Sequence, residues 1–98
     1  MKLLKTSAVN FPAADAFGEP VRVQGGLMRS CGDARLVESG GRFKLLAEGR
    51  YALHIETGSG HFKWKRGETP FAAGDTYLLE DAGEVEVNGV CVFLFAKE

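Results

Sequence analysis

Glycine recurs along this chain at intervals that are too short for long helices. Thirteen glycines are spread over 98 residues, and they separate short stretches such as YALHIET, TYLLE, EVEVN and VCVFLFA. Many of these stretches alternate in polarity or are rich in β-branched and aromatic residues, and none keeps a helical period over three turns. Short strands with turn signals about every 8–12 residues are typical of an all-β sandwich or barrel. The pattern predicts one compact antiparallel β domain.

The first twenty residues differ from the rest of the chain. The segment NFPAADAFGEP, residues 10–20, is the one place where a short helix or an irregular arm fits the sequence. We therefore predict an N-terminal arm or edge strand over residues 1–20 and a single barrel domain over residues 21–98. Within the barrel, the alternation of EVEV predicts that Val85 and Val87 point inward and that Glu84 and Glu86 point outward.

The composition argues against several functional classes. Twelve basic and thirteen acidic residues leave a net charge of −1, and lysine and arginine are not clustered as nucleic-acid binding requires. No stretch approaches the ~20 apolar residues that cross a bilayer, and the N-terminus lacks the sustained apolar run of a signal peptide. We expect a cytoplasmic protein without nucleic-acid or membrane partners. In that reducing compartment, Cys31 and Cys91 are predicted to be buried thiols.

The stretch from Tyr51 to Lys65 contains the strongest signal for strand pairing. Gly58-Ser59-Gly60 predicts a two-residue turn between a strand over residues 51–57 and a second strand over residues 61–65. Such a hairpin collects five large side chains on one face: Tyr51, Leu53, Ile55, Phe62 and Trp64. Burying each of them is worth about 1.5–3 kcal/mol, so this face is predicted to be the inner one.

Both histidines of the chain, His54 and His61, fall on the opposite face of that hairpin, with Glu56 between them. Two imidazoles and a carboxylate form the ligand set of many mononuclear metal sites. A catalytic metal also needs a shaped cavity and hydrogen-bonded support for its ligands, whereas these residues are predicted to lie beside lysines in solvent. We predict a solvated polar face and no metal or other cofactor. The alternative is a metal-dependent enzyme, an isomerase, epimerase or oxygenase, that uses His54, Glu56 and His61 in a rearranged site.

From Tyr51 to the C-terminus, the sequence resembles a small single-domain cupin. The run YALHIETGSGHFKW is similar to the strand–GxG–strand hairpin of that family, and FAAGDTYLLE is similar to the turn that opens its second motif. The resemblance implies a conical antiparallel β-barrel, a jelly roll or double-stranded β-helix, with a ligand pocket inside and frequently a dimeric assembly. Members of the family include isomerases, epimerases, dioxygenases, sugar-binding sensor domains and seed storage proteins.

The residues that hold the metal in catalytic cupins are absent from the matching positions. Anchoring the first motif on Gly58 and the second on Gly74 assigns the glutamate and the three histidines to other residue types. These are Tyr51, Leu45 and Ala47 (or Lys44 and Leu46), and Val85. Metal affinity comes from imidazole, thiolate or carboxylate groups, so the resemblance implies a cupin without the usual metal.

Aromatic residues give such a barrel a way to hold a small molecule. The interior candidates are Phe43, Tyr51, Phe62, Trp64 and Tyr77. Aromatic rings can stack on a sugar or an apolar ring, although the same residues fill the cores of small barrels. We predict a metal-free cupin-like domain that binds a sugar or an organic acid, acts as a sensor or accessory subunit, and forms a homodimer. A purely assembling protein with a filled barrel is the remaining hypothesis.

Overall fold

The computed structural model describes residues 2–6, 10–65 and 67–98, and the side chains of all of these except residues 2–4. The described strands are β1 (Lys2–Thr6), β2 (Val21–Val23), β3 (Gly26–Cys31), β4 (Ala34–Ala47), β5 (Arg50–Trp64), β6 (Gly67–Ala72), β7 (Thr76–Glu80) and β8 (Gly83–Lys97). A short 3-10 helix spans Ala14–Ala16. No helix in the described part of the chain is long and apolar enough to cross a membrane.

The described strands form one antiparallel sheet in the order β1-β7-β5-β8-β4-β3-β2, and β6 pairs with β5 as well. β5 pairs with β8 along most of its length, with β7 through residues 50–54, and with β6 through residues 59–64. β4 likewise pairs with β8 throughout, but with β3 only through residues 34–38. The long strands β4, β5 and β8 are therefore shared between two layers. The first layer adds β1, β7, β3 and β2 to them, and the second layer adds β6.

Side chains from both layers meet in one core. The Phe62 ring of the second layer lies 5.0 Å from the Tyr77 ring of the first, and the Phe43 ring lies 5.6 Å from that of Phe93. The two valines of the EVEV stretch are fully buried in this core, Glu84 is exposed, and the half-buried Glu86 pairs on the outer side with Arg42 at 3.0 Å. The inward and outward positions predicted from that alternation are confirmed, because the sheet folds back on itself and buries one side of each strand.

The predicted hairpin at Gly58-Ser59-Gly60 is wrong. Residues 50–64 form a single strand, which creases at these glycines and passes from one layer to the other. Gly60 faces Gly89 of β8 across the crease, and a Cβ on Gly60 would lie 3.0 Å from the Gly89 Cα and would overlap the carbonyl oxygen of Asn88. Glycine is needed here because two strands approach closely, a requirement that leaves the same local sequence signal as a turn.

The predicted faces of this segment are nevertheless right, because β5 contains a β-bulge. Between Ile55 and Thr57 the pairing with β8 shifts by one residue, which leaves Glu56 as the extra residue. A bulge shifts the in–out alternation by one position, as the predicted turn would have done. Of the five side chains predicted to point inward, Leu53, Ile55 and Phe62 are fully buried, and Tyr51 and Trp64 are partly buried against the same core.

The outer face of the first layer is partly covered by the segment before β2. Phe17 is buried there with Ala34 and Leu94 in a second, smaller hydrophobic cluster, and Phe11 packs against it. The Gly18 N–H donates a hydrogen bond of 3.0 Å to the carbonyl of Ser30, which ties the segment to β3. Residues 10–20, which we call the arm, therefore cover part of the outer face of the first layer.

Both cysteines are free thiols, Cys91 buried and Cys31 half-buried. Burial raises the pKa of the Cys91 thiol, because desolvation disfavours the thiolate. A neutral thiol of this kind behaves as a small apolar side chain. The prediction of buried thiols is confirmed for Cys91 and only partly met for Cys31.

Candidate functional site

A groove lies between the arm and the outer face of the first layer. Its volume is about 790 Å³, within the ~300–1,000 Å³ typical of small-molecule sites. The arm contributes residues 10–14, the sheet floor contributes Leu36, Val92 and Leu94, and the opposite wall is His54, Glu56, Thr57 and Thr76. We call this cavity the arm groove.

His54 is the central polar residue of the arm groove. It pairs with Thr76 of β7 on one side and with Leu94 of β8 on the other. Its Nδ1 lies 2.6 Å from the Oγ1 of Thr76, and the Thr76 side chain is buried. This short hydrogen bond fixes the plane of the imidazole. The side chain remains 27% exposed, so the ring is held in place and still accessible from the groove.

The bulge in β5 adds a carboxylate beside that imidazole. Because Glu56 is the extra residue, both it and Thr57 line the groove on consecutive positions of one strand. The Glu56 Oε1 lies 3.6 Å from the His54 Nε2, and the Glu56 side chain is 47% exposed. Bulges often re-aim a side chain next to a functional site, and this one turns a carboxylate toward the groove.

The arm groove can recognise a ligand through both polar and apolar contacts. A neutral imidazole donates from one ring nitrogen and accepts at the other, so the accessible Nε2 of His54 can bind a polar ligand atom. The Glu56 carboxylate accepts hydrogen bonds only. Phe11 of the arm presents a second ring, with its centroid 6.4 Å from that of His54. Two rings, a carboxylate and an aliphatic floor suit a small ring compound.

The metal set of His54, Glu56 and His61 is not assembled. His61 pairs with Pro70 of β6 and with Asn88 of β8 in the second layer, and it is exposed there. Seven residues of strand separate it from His54, which corresponds to roughly 23 Å along β5. Within residues 2–6, 10–65 and 67–98, no three histidine, cysteine or acidic side chains come together in a way that could hold a metal ion. The rearranged metal site is wrong because the segment does not reverse at its glycines.

The open polar face predicted around His54 also needs correcting. The face assignment is right, since the imidazole points away from the main core. The arm partly covers it, however, so that His54 lines a groove instead of standing in free solvent. His61 and Lys63 are exposed, as predicted.

The five aromatic residues proposed for the barrel interior all contact the main core. Phe43, Phe62 and Tyr77 are buried in it, and Tyr51 and Trp64 are partly buried against it. The Phe62 ring lies 4.7 Å from the Phe71 ring and 5.0 Å from the Tyr77 ring. Such centroid distances are those of directly packed aromatic pairs, so these rings contact one another. Their role in ligand binding stays a prediction.

Tyr77 also belongs to a polar cluster at the turn before β7. Its hydroxyl donates a 2.9 Å hydrogen bond to the Asp75 carboxylate, which lies 3.1 Å from the Lys5 Nζ and accepts from the Ala72 N–H at 3.1 Å. The Tyr77 and Lys5 bonds lower the pKa of Asp75. Burial and the Asp75 carboxylate raise the pKa of Tyr77 to about 12. The cluster closes the turn at Gly74-Asp75, within the stretch that is similar to the turn opening the second cupin motif.

Sequence reasoning missed Phe11, Thr76 and the whole arm as parts of a site. The arm was predicted as a separate segment, but nothing local indicates which face of the sheet it crosses. Thr76 carries no signal of its own, because its partner, His54, is 22 positions away along the chain. One signal was available in β5. Ile55 and Phe62 are seven positions apart, so strict alternation would put them on opposite faces, and both can be buried in a continuous strand only if it contains a bulge.

Comparison with known proteins gives a likeness of fold. The chain matches no protein-family model and no curated protein. Among solved structures it is similar to the mannose 6-phosphate isomerase of Bacillus subtilis, with a TM-score of 0.69 and 16% identity over 82% of this chain. It spans only 28% of the length of that isomerase.

Two further solved structures, of a protein and of a domain whose functions are unknown, are similar over nearly their whole length. One is a DUF1255 protein of Acidithiobacillus ferrooxidans, with a TM-score of 0.57 and 14% identity over 89% of this chain and 100% of that one. The other comes from Vibrio parahaemolyticus, with a TM-score of 0.51 and 11% identity over 98% of each chain. The isomerase is a cupin, and the described part of this chain is mostly antiparallel strand, with one three-residue helix. The all-β, cupin-like fold predicted from the sequence is therefore confirmed.

Proposed function

We propose that this chain is a metal-independent small-molecule-binding domain with a sensor or accessory role, and that its ligand site is the arm groove. The observation that carries the proposal is the held but accessible imidazole of His54 in a groove of about 790 Å³. Few polar groups at fixed positions on a mostly apolar lining are the usual design of such sites.

The bulge supports the same proposal. An uninterrupted strand would alternate sides, whereas β5 presents Glu56 and Thr57 consecutively to the groove. Bulges disrupt the ladder locally, and they recur beside active sites. A feature that weakens pairing in a central strand while adding two polar side chains to one cavity favours a binding role for that cavity.

The substrate of the similar isomerase is not carried over. The isomerase is named for mannose 6-phosphate, and the likeness to it is one of fold at 16% identity. A phosphorylated sugar would need cationic groups to meet its charge. Among the described residues that line the arm groove, none is a lysine or an arginine.

The two histidines provide the experiment, because they lie on the two halves of β5 that belong to different layers. Glucose, benzyl alcohol and indole are each added at millimolar concentration, and the ring resonances of both histidines are followed in NMR spectra. A ligand of the arm groove shifts the His54 ring and the amides of Glu56 and Thr57, and leaves the His61 ring unchanged. Replacing Val92 on the groove floor by phenylalanine fills the groove and removes these shifts. Unchanged His61 signals show that the variant is folded.

Two results would contradict this proposal. If none of the three compounds shifts the His54 ring, the groove does not bind small ring compounds. If the shifts gather instead at Phe43, Phe62 and Tyr77, the ligand enters between the layers, as the sequence first suggested. His61→Ala is the matched control for His54→Ala. His54→Ala should weaken binding, and His61→Ala should leave it unchanged.

Homodimer formation is part of the proposal. Val90 is 72% exposed and Leu27 37% exposed on the outer face of the first layer, and exposed apolar groups of this kind favour a protein contact. Light scattering should give twice the mass of the 10.6 kDa chain, and a monomer at high concentration would contradict it. We also propose a cytoplasmic location without nucleic-acid or membrane partners. A fluorescent fusion tests the location.

A further inference from the structure

The charges around the arm groove point to the chemical class of its ligand. We infer that the groove binds a ring compound carrying a neutral or cationic nitrogen or hydroxyl donor, and that it disfavours anions. The inference deepens the proposed function and depends on it. It also narrows the ligand class expected from the sequence, a sugar or an organic acid, because an organic acid is anionic at neutral pH and is disfavoured.

The ionisable residues on the groove lining are His54 and Glu56. The Glu56 carboxylate is about half exposed, and its nearest described ion-pair partner is the imidazole at 3.6 Å. That distance is beyond a strong hydrogen bond, so the carboxylate keeps its acceptor capacity for a ligand. An incoming anion would be repelled by Glu56, whereas an ammonium or N–H donor would pair with it.

More distant charges do not offset Glu56. The same sheet face carries Arg29 on β3, Glu38 on β4 and, one strand farther out than Arg29, Arg22 on β2. Arg50 of β5 also lies on this face, and its guanidinium is 3.5 Å from the carboxylate of its ion-pair partner Glu80. Arg29 is three strands away from His54, which corresponds to roughly 14 Å, beyond the ~8–10 Å Debye length at ordinary salt. Glu38 is only two strands away from β5, so this second negative charge lies closer to the groove than Arg29 does. Within the described residues, the groove is therefore weakly acidic in character.

The apolar contacts favour a ring over an extended chain. Leu94 is buried at the groove floor, and Val92 and Leu36 are half-buried beside it. Phe11 and His54 present their rings above that floor, tilted by 38° to each other. A flat ring gains contact with both aliphatic and aromatic groups there, while its donor reaches Glu56. A polyol would leave the aliphatic floor without apolar contact.

Three matched probes separate charge from shape: benzylamine, benzyl alcohol and benzoate share one ring and differ in charge at neutral pH. Affinity is measured from the His54 ring and Thr57 amide shifts. We expect benzylamine to bind about two- to fivefold more tightly than benzyl alcohol, which is the range for a half-exposed ion pair. Benzoate should bind more weakly than the alcohol by a similar factor.

Substitution of Glu56 tests the source of the preference. Glu56→Gln should bring benzylamine and benzyl alcohol to equal affinity. Glu84→Gln is the matched control: it changes the net charge equally, but Glu84 is exposed on the second layer, 3.6 Å from Lys44. The benzylamine preference should survive in the Glu84→Gln variant.

The possible failures are distinguishable. If benzoate equals or exceeds benzylamine while all three shift the His54 ring, the charge preference is overturned and the groove remains a binding site. If Glu84→Gln abolishes the preference as fully as Glu56→Gln, net charge and not the groove selects the ligand, which also overturns the inference. If none of the three probes shifts the His54 ring, the proposed function fails together with the preference.

Discussion

Replacing Gly60 by alanine tests the crease on which the two-layer fold depends. A Cβ at this position would overlap the carbonyl oxygen of Asn88, and would lie 2.9 Å from the Asn88 carbonyl carbon and 3.0 Å from the Gly89 Cα. All three contacts are backbone atoms of the central strand β8, so no side chain can move aside. Overpacking in a well-packed site costs about 1–3 kcal/mol, and we expect the upper end, about 3 kcal/mol, because a backbone must shift.

The assay is urea unfolding, followed by the fluorescence of Trp64, the single tryptophan of the chain. With a denaturant slope of about 1–3 kcal/mol/M for a small protein, a loss of about 3 kcal/mol lowers the midpoint by about 1–3 M. Gly18→Ala is the control, because a Cβ there meets only the Ser30 carbonyl oxygen at an ordinary 3.6 Å. That variant should stay within about 0.5 kcal/mol of the parent.

Gly89→Ala should lose at least as much stability from the other side of the crease, since its Cβ would lie 2.9 Å from the Gly60 Cα and would overlap the carbonyl oxygen of Ser59, and since its φ of +137° disfavours alanine. If Gly60→Ala matches the Gly18→Ala control, the strands do not approach in this way. A loss near 1 kcal/mol for Gly60 with none for Gly89 would instead favour a left-handed turn residue, and with it the hairpin read from the sequence.

Three further outcomes follow from the polar contacts. The phenol of Tyr77 should ionise near pH 12 in an absorbance titration; because its folded pKa is raised, its contribution to stability is present below about pH 10 and is lost as the pH rises toward 12, a loss that Tyr77→Phe should abolish. The pKa of Asp75 is lowered, so its stabilisation is present above about pH 4 and is lost as the pH falls through the lowered value; Asp75→Asn should flatten this acid limb, and an unchanged limb would contradict the pairing. The Gln24 side chain donates to the Lys44 carbonyl at 2.8 Å and accepts from the Lys44 N–H at 2.7 Å, so it takes the place of a neighbouring strand on the edge of β4 that β3 leaves uncovered beyond residue 38. Gln24→Ala should speed exchange of the Lys44 amide about tenfold and increase self-association, whereas equal exchange in both proteins would show that the bonds are not formed in solution.

The sequence was sufficient for every feature that depends on local alternation. EVEV placed Val85 and Val87 inside because neighbouring residues of a strand point to opposite sides. The Gly74-Asp75 turn can also be recognised locally, since glycine and aspartate are both favoured in tight turns. These features require only the residues next to them.

Features that depend on distant strands could not be derived in the same way. Gly60 is glycine because Gly89 approaches it, and the two are 29 positions apart in sequence. A turn and a crease place the same demand on the local sequence, so the segment was interpreted as a hairpin. The position of His54 in a groove depends likewise on where the arm crosses the sheet, which alternation does not encode.

Sharing β4, β5 and β8 between both layers has a consequence for how the molecule comes apart. Neither layer has strands that belong to it alone along its centre, because β4, β5 and β8 run through both. Separating the strands of one layer therefore breaks backbone hydrogen bonds in the other. Unfolding should then be a single cooperative event, and the strand pairings that must form are distant in sequence, which makes folding slow for a chain of this size. A molecule held on the outside of one layer would accordingly raise the melting temperature of the entire domain.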